Sequence, residues 1–303
     1  MNSRWVLLLP SLFSSSRAFL LPRRGRLRAT HFVTHSAKPI KVSDWAQTAE
    51  KGTVIKDGVV KPPAISPVPG EESNVEKKSP SRMEIFVKAG PEGNDIGDCP
   101  FAQYDRMVMF AKDLSFTTTP CTAESKPSWL IDSYQGKMPC LLHDGEARIE
   151  SNDIALYINF FFPSPPLSSH SDETDAAVTG LFPAIANFLK NTDDAADAKL
   201  RTALEDALSN LEAHLARVAP GNAEESAPFM AGGDMLGLAD CALAPKLYHL
   251  DIAAAHFKDP PFVVDENYPL VRKYMDTMFA HPAFVSSAVP ASTVLWGWGN
   301  ARK

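Results

Sequence analysis

Four consecutive residues, Cys99, Pro100, Phe101 and Ala102, have the types and order of a site for sulfur chemistry. They stand between a short strand-like run, Ile85 to Lys88, and a helix-like run. In the latter, Phe101, Tyr104, Met107, Val108 and Ala111 recur at helical spacing, with Gln103, Asp105, Arg106 and Lys112 on the other side. A cysteine at a helix start faces unpaired backbone N–H groups and the positive end of the helix dipole, both of which favour the thiolate. Such placements bring a cysteine from about 8.5 to roughly 3.5–7.5, so the pattern predicts a thiol substantially ionised at neutral pH. Pro100 suits the first helical position, where the N–H it lacks would have had no partner. The competing reading is a small buried hydrophobe that only packs.

A Cys-X-X-Cys motif would carry its own resolving thiol, but the fourth position here is Ala102. A one-thiol site must take its second sulfur from outside, and the abundant soluble donor is glutathione. Of the other cysteines, Cys121 and Cys241 read as structural. Cys140 stands beside Pro139 and is either a resolving thiol or a packed one. Four cysteines without close pairs in 303 residues make no disulfide scaffold and point to a reducing compartment. No metal-ligand spacing, glycine-rich phosphate loop or internal repeat is present.

The elements that must position Cys99 belong to a chain of 45% hydrophobic residues, enough for two cores. Its charge is uneven. The first 43 residues hold eight Lys and Arg and no Asp or Glu, and the rest hold 22 basic against 36 acidic residues, which argues against a nucleic-acid partner. Residues 1–36 read as a cleaved targeting leader: an apolar stretch from Trp5 to Phe13, a serine cluster, then Arg17, Arg23, Arg24, Arg26 and Arg28. Nine residues rise only about 14 Å as a helix, too short for a bilayer core of about 30 Å. The two-part pattern, with Ala18-Phe19 as a cleavage candidate, resembles leaders of algae with secondary plastids. A plastid destination is therefore expected, with the mitochondrion or cytosol as alternatives. Residues 37–82, with Pro39, Pro62, Pro63, Pro67, Pro69 and Pro80, read as a disordered linker.

From Met83 onward the chain resembles the glutathione transferase superfamily, and within it the dehydroascorbate reductases and the related chloride intracellular channel proteins. Three segments carry this: Ile85-Phe86-Val87-Lys88-Ala89 with Gly97-Asp98-Cys99-Pro100-Phe101; Lys137-Met138-Pro139 with Glu150-Ser151; and Leu238-Ala239-Asp240-Cys241 running into Ala244 to Leu250 and His256-Phe257-Lys258. The last run is nearer the plant dehydroascorbate reductases. The fold so implied is an α/β thioredoxin-like N-terminal domain over 83–164, followed by an all-α C-terminal domain over 172–303.

The resemblance also implies roles. Cys99 would be the nucleophile, with Asp98 a proton acceptor or relay, and Lys88, Asp98 and Trp298 would meet the oxidised substrate. Phe101, Lys126, Met138, Pro139, Glu150, Ser151 and His249 would line the glutathione site, with Lys126 on the glycyl carboxylate, a cis Pro139 beside the cysteinyl part and the Glu150-Ser151 turn on the γ-glutamyl end. Read from the residues alone, Ser151 is a helix N-cap, Lys126 a surface lysine, Pro139 a trans proline, and His249 and Trp298 packing residues. Asp98 also opposes the expected thiolate, because a neighbouring carboxylate raises a thiol's pKa.

The activity implied is glutathione-dependent reduction of dehydroascorbate by a ping-pong cycle on Cys99, in antioxidant recycling, with glutathione as co-substrate, no metal, and a monomer favoured over a dimer. Two rivals are an omega-like thioltransferase using the same cysteine, and a channel-like protein that inserts near Cys99. Against insertion stand Asp95, Asp98, Gln103, Asp105 and Arg106, since each charge at bilayer depth costs about 2.5–3.5 kcal/mol. Further along, Leu200, Ala203, Leu204, Ala207, Leu208, Leu211, Leu215 and Val218 form a core stripe. Gly237 stands where the family has a capping Ser or Thr before Asp240, so a weakened cap is expected there.

Overall fold

The structure, a computed structural model, describes residues 82–219, 229–264 and 267–303, together with a small antiparallel strand pair, β1 (Ile55–Lys56) and β2 (Val59–Val60). The expected leader, and nearly all of the expected linker, lie outside the described residues.

A four-stranded sheet forms the first half: β3 (Met83–Lys88), β4 (Thr117–Cys121), β5 (Cys140–His143) and β6 (Glu146–Ile149), in the order β4-β3-β5-β6. β3 and β4 run parallel, joined through helix α1 (Pro100–Ala111), whereas β5 pairs antiparallel with β3 and with β6. The alternation along β3 explains its central place. Met83, Ile85 and Val87 enter the main core, Phe86 enters a smaller core on the opposite face with Leu130 and Cys140, and a strand covered on both faces reads as nearly continuous apolar sequence. Helix α2 (Ser128–Tyr134) contributes Leu130 to that smaller core, and α3 (Ser151–Phe161) packs on α1.

The second half is helical throughout: α4 (Asp172–Val178), α5 (Leu181–Lys190), α6 (Asp194–Val218), α7 (Leu238–Phe257), α8 (Pro269–Ala280), α9 (Pro282–Ser287) and α10 (Ala291–Ala301). The stripe expected on α6 is buried at Leu204, Ala207, Leu208, Leu211 and Leu215, but Ala203 is exposed; His214 takes a core place instead, its ring bonded to the Met230 carbonyl at 2.7 Å. α7 is buried around most of its circumference, as befits the central helix of a bundle.

The polar side of α1 does not face water: Gln103, Asp105, Arg106 and Lys112 are all buried, because α3, α7 and α9 pack around the helix. Arg106 bonds the Ser287 carbonyl and Lys112 the Pro165 carbonyl, each at 2.7 Å, while the Gln103 amide and both Asp105 oxygens have no hydrogen-bond partner among the described residues.

At the start of α7, Gly237 supplies no side-chain cap, as expected, while the reciprocal half of the cap is intact. Asp240 Oδ2 accepts the Gly237 N–H at 2.8 Å, and Oδ1 accepts the Met230 N–H at 2.8 Å and the Tyr274 O–H at 3.0 Å. A Cβ on residue 237 would lie 2.1 Å from Ser168 Oγ, and Ser168 bridges this stretch through its backbone, accepting the Leu238 N–H at 2.9 Å. A capping side chain is missing because another residue fills its space.

Burial raises the Asp240 carboxyl to about 6 even though three donors favour its charged form. Asp240→Ala would leave those donors unmatched in a dry site, at about 1–3 kcal/mol each when fully unsatisfied. We expect thermal unfolding to move down by at least about 6 °C, taking roughly 2–4 °C per kcal/mol for a domain of this size; an unchanged melting temperature would refute this account of the cap.

Candidate active site

Register brings three distant segments to one end of the strands. Phe86 pairs with Cys140 and Cys140 with Ile149, so the end of β3, the residue before β5 and the turn after β6 lie side by side. The loop leaving β3 returns on itself, with the Gly97 N–H bonded to the Lys88 carbonyl at 2.8 Å, which sets Asp98 and Cys99 directly before α1. Gly97 is needed for this close approach: a Cβ there would lie 2.6 Å from two backbone oxygens. Cys99 is the N-cap and Pro100 the first helical residue, as the sequence predicts.

The expected fall in the Cys99 pKa is not what the structure shows. The Ala102 and Phe101 N–H groups do pull the thiol toward ionisation, but burial pushes it up more strongly, and the Asp98 and Asp105 carboxylates add to that push. Leaving water costs the thiolate more here than the helix dipole and N–H groups return. Cys99 is nevertheless the one partly accessible thiol: Cys121, Cys140 and Cys241 are buried. Cys140 is fully enclosed in the smaller core and its thiol is pushed up to about 12, which suits a packed residue and not a resolving one.

Asp98 is held from two sides. Its Oδ1 accepts the Lys88 ammonium at 2.8 Å, and its carboxylate lies against Gly297 of α10, where a Cβ would come within 1.8 Å of Oδ2. Lys88 Nζ also sits 5.1 Å from the centre of the Trp296 ring. Trp296 and Gly297 were not singled out in the sequence, although glycines alternating with tryptophans over 296–299 were a legible sign of close approach inside a helix.

Trp298 differs from expectation. Its indole is buried and donates to His249 Nδ1 at 3.0 Å, so it supports the histidine and does not line the cleft. Burial lowers the His249 ring to about 4, leaving it neutral near pH 7. An indole N–H only donates, so Nδ1 is the acceptor and the ring proton resides on Nε2. That nitrogen is buried and has no partner among the described residues, and the ring lies within the electrostatic reach of Asp98 and Lys88.

The second cluster carries the remaining expected residues. The Met138–Pro139 bond is cis, as the resemblance implies and against the default for the residue pair. Ser151 is the first helical residue of α3 and not its N-cap; that position belongs to Glu150, whose φ of 68° lies in the region costly for a side chain. Glu150 pairs with Lys137 at 2.9 Å, and Lys126 donates to the Gly136 carbonyl at 2.8 Å. The ring of Phe101, partly exposed, meets Phe182 edge-on at 5.2 Å. Among the described residues no group of side chains could hold a metal ion, and no helix is long and apolar enough to cross a membrane.

The charge balance around Cys99 is testable. Asp98→Asn removes one carboxylate and frees the Lys88 cation, and both changes favour the thiolate. The pH midpoint for alkylation of Cys99 by iodoacetamide should lie above the ordinary thiol value in the wild type and fall in Asp98→Asn; equal midpoints would show that Asp98 does not act on the sulfur.

Residues 81–166 match the CLIC-like N-terminal domain and residues 175–277 the glutathione S-transferase C-terminal domain. Among curated relatives, the Arabidopsis thaliana protein named glutathione S-transferase DHAR2 is 33% identical over 218 residues, spanning 71% of this chain and 96% of the relative. Human chloride intracellular channel protein 3 is 30% identical over 227 residues, spanning 71% and 94%. The crystal structure of Chlamydomonas reinhardtii dehydroascorbate reductase superposes with a TM-score of 0.62 at 28% identity, covering 76% of this chain and all of that one. With its four-stranded α/β half, its helical second half and these matches, the chain belongs to the glutathione transferase superfamily.

Proposed function

We propose that this chain reduces dehydroascorbate to ascorbate with glutathione, using Cys99 as the single protein thiol of the cycle. The observation that carries the reading is that Cys99, alone among the four cysteines in being partly accessible, stands at the start of α1 beside the Lys88–Asp98 pair. The likeness to the Arabidopsis protein and to the Chlamydomonas dehydroascorbate reductase supports the choice of substrate. The basic, acid-free leader supports delivery to a plastid.

In this reading Cys99 sulfur adds to a carbonyl carbon of the diketone. A thiol held neutral sheds its proton as it attacks, and Asp98 is the adjacent carboxylate able to take it, with Lys88 balancing the charge. A glutathione thiolate then attacks the bound sulfur. The carbon–sulfur bond breaks, its electron pair leaves with ascorbate, which takes up protons, and a Cys99–glutathione disulfide remains. A second glutathione thiolate cleaves that disulfide, giving oxidised glutathione and free Cys99. Two thiols are thus oxidised for each diketone reduced. The γ-glutamyl end belongs at Glu150 and Ser151, the cysteinyl part beside Met138 and Pro139, and the glycyl carboxylate near Lys126. His249 belongs with the glutathione site in this reading, and its unpartnered Nε2–H, within electrostatic reach of Asp98 and Lys88, favours negative charge developing beside it.

Two outcomes test this. Cys99→Ser should abolish turnover of dehydroascorbate while melting as the wild type does; retained turnover excludes the cycle, and faster turnover of hydroxyethyl disulfide than of dehydroascorbate by the wild type would favour a thioltransferase. Trp298→Phe removes the donor that fixes the His249 tautomer. We expect kcat/KM for dehydroascorbate to drop roughly tenfold, the scale of one lost transition-state hydrogen bond, with Cys99 alkylation unchanged; an unaltered kcat/KM would remove His249 Nε2 from the mechanism.

A further inference from the structure

A cavity of about 130 Å³ lies between the first turn of α3 and helices α4, α5 and α7. Its floor is apolar, with Leu181, Ala242 and Leu243, and its polar lining includes Asn152, His170 and Lys246. The cation is the feature that demands explanation. Lys246 is partly buried, and it forms no ion pair or hydrogen bond among the described residues. Its ammonium lies 5.6 Å from the centre of Phe101 and 5.8 Å from that of Phe182 and keeps some contact with solvent. The carboxylate in the lining, Asp175, is engaged elsewhere: its Oδ1 meets His170 Nδ1 at 2.8 Å, and His170 Nε2 in turn meets the Tyr104 hydroxyl at 3.2 Å. Burial lowers the Lys246 pKa, the direction expected of a cation that lacks its anion.

A partly buried cation without an anion is poorly solvated on its protein side, and the small cavity it lines carries both apolar and polar side chains. We propose that Lys246 binds a carboxylate that enters this cavity. Two sources share that chemistry. One is the γ-glutamyl carboxylate of glutathione, because Asn152 of the lining directly follows the Glu150–Ser151 turn; for this source the inference rests on the function proposed above. The other is a free small organic acid whose alkyl part covers the apolar floor, and this source is independent of that function. In either case the ring of Phe101, two residues from Cys99, links the occupied cation to the start of α1.

The test titrates the full chain with two separate probes, S-methylglutathione, which cannot exchange disulfides, and sodium butyrate. Both are followed by ligand-observed NMR in the wild type, Lys246→Met and Lys246→Arg. Lys246→Met should weaken at least one probe by roughly tenfold or more, the scale of a charge-assisted hydrogen bond, and Lys246→Arg should retain most of the affinity. Loss for S-methylglutathione assigns the carboxylate to the tripeptide; loss for butyrate alone assigns it to a free acid. Lys246→Gln takes the place of Lys246→Met if that variant does not melt cooperatively. Affinities for both probes within about twofold of wild type in a folded neutral variant, or a wild type that binds neither probe, would overturn the inference. Lysine-dependent butyrate binding in a wild type that ignores S-methylglutathione would leave this site standing and count against the function proposed above.

Discussion

Helix α1 is enclosed by α3, α7 and α9, and this enclosure governs the chemistry available at its first residue. A free helix start would stabilise a thiolate through its N–H groups and dipole, typically by a modest amount when solvent screens the field. Enclosure changes both terms. It strengthens the N–H interactions by lowering the local dielectric, yet it charges the thiolate for leaving water, and at Cys99 the second effect is larger. The result is a protected thiol poised between donors that favour its anion and carboxylates that oppose it, so activation depends on how the surrounding charges are arranged when substrate enters.

That arrangement is built from both halves of the molecule. The sheet supplies Lys88 and, through the loop after it, Asp98; α10 supplies the glycine against which the Asp98 carboxylate rests and the tryptophan over which Lys88 lies. α7 supplies His249, oriented by Trp298, and Lys246, which stands over Phe101. The polar side of α1 points inward for the same reason. Buried charge and amide groups on a helix that carries a nucleophile are expensive, and their presence fits a helix whose surroundings serve the site as well as the core.

Much of this was legible in the chain itself. The strand at β3, the helix beginning at Pro100, the cysteine at its cap and the long apolar stripe of α6 all follow from local periodicity and capping chemistry, which depend on near neighbours in sequence. What could not be read depended on distant ones. Nothing local shows that α7 and α9 cover the polar face of α1. The Cys99 pKa departs from expectation because the dipole is a local property and desolvation is not. The residue type of Ser151 predicts the cap, but the helix starts at Ser151 itself and leaves Glu150 as the N-cap with a positive φ. The reason Gly237 carries no capping side chain lies nearly 70 residues earlier, in Ser168, which fills the space. The pairing of Trp298 with His249 joins residues far apart in sequence and had no local signal beyond the glycines beside the tryptophan.

The most direct measurement is mass spectrometry of the full chain after brief incubation with oxidised glutathione, with the modified residue located by peptide mapping. Exchange of one sulfur should add a single glutathionyl group, on Cys99 and nowhere else, and a reducing agent should remove it. An unmodified Cys99, or modification spread over Cys121, Cys140 or Cys241, would contradict the claim that the cysteine at the head of α1 is the reacting thiol.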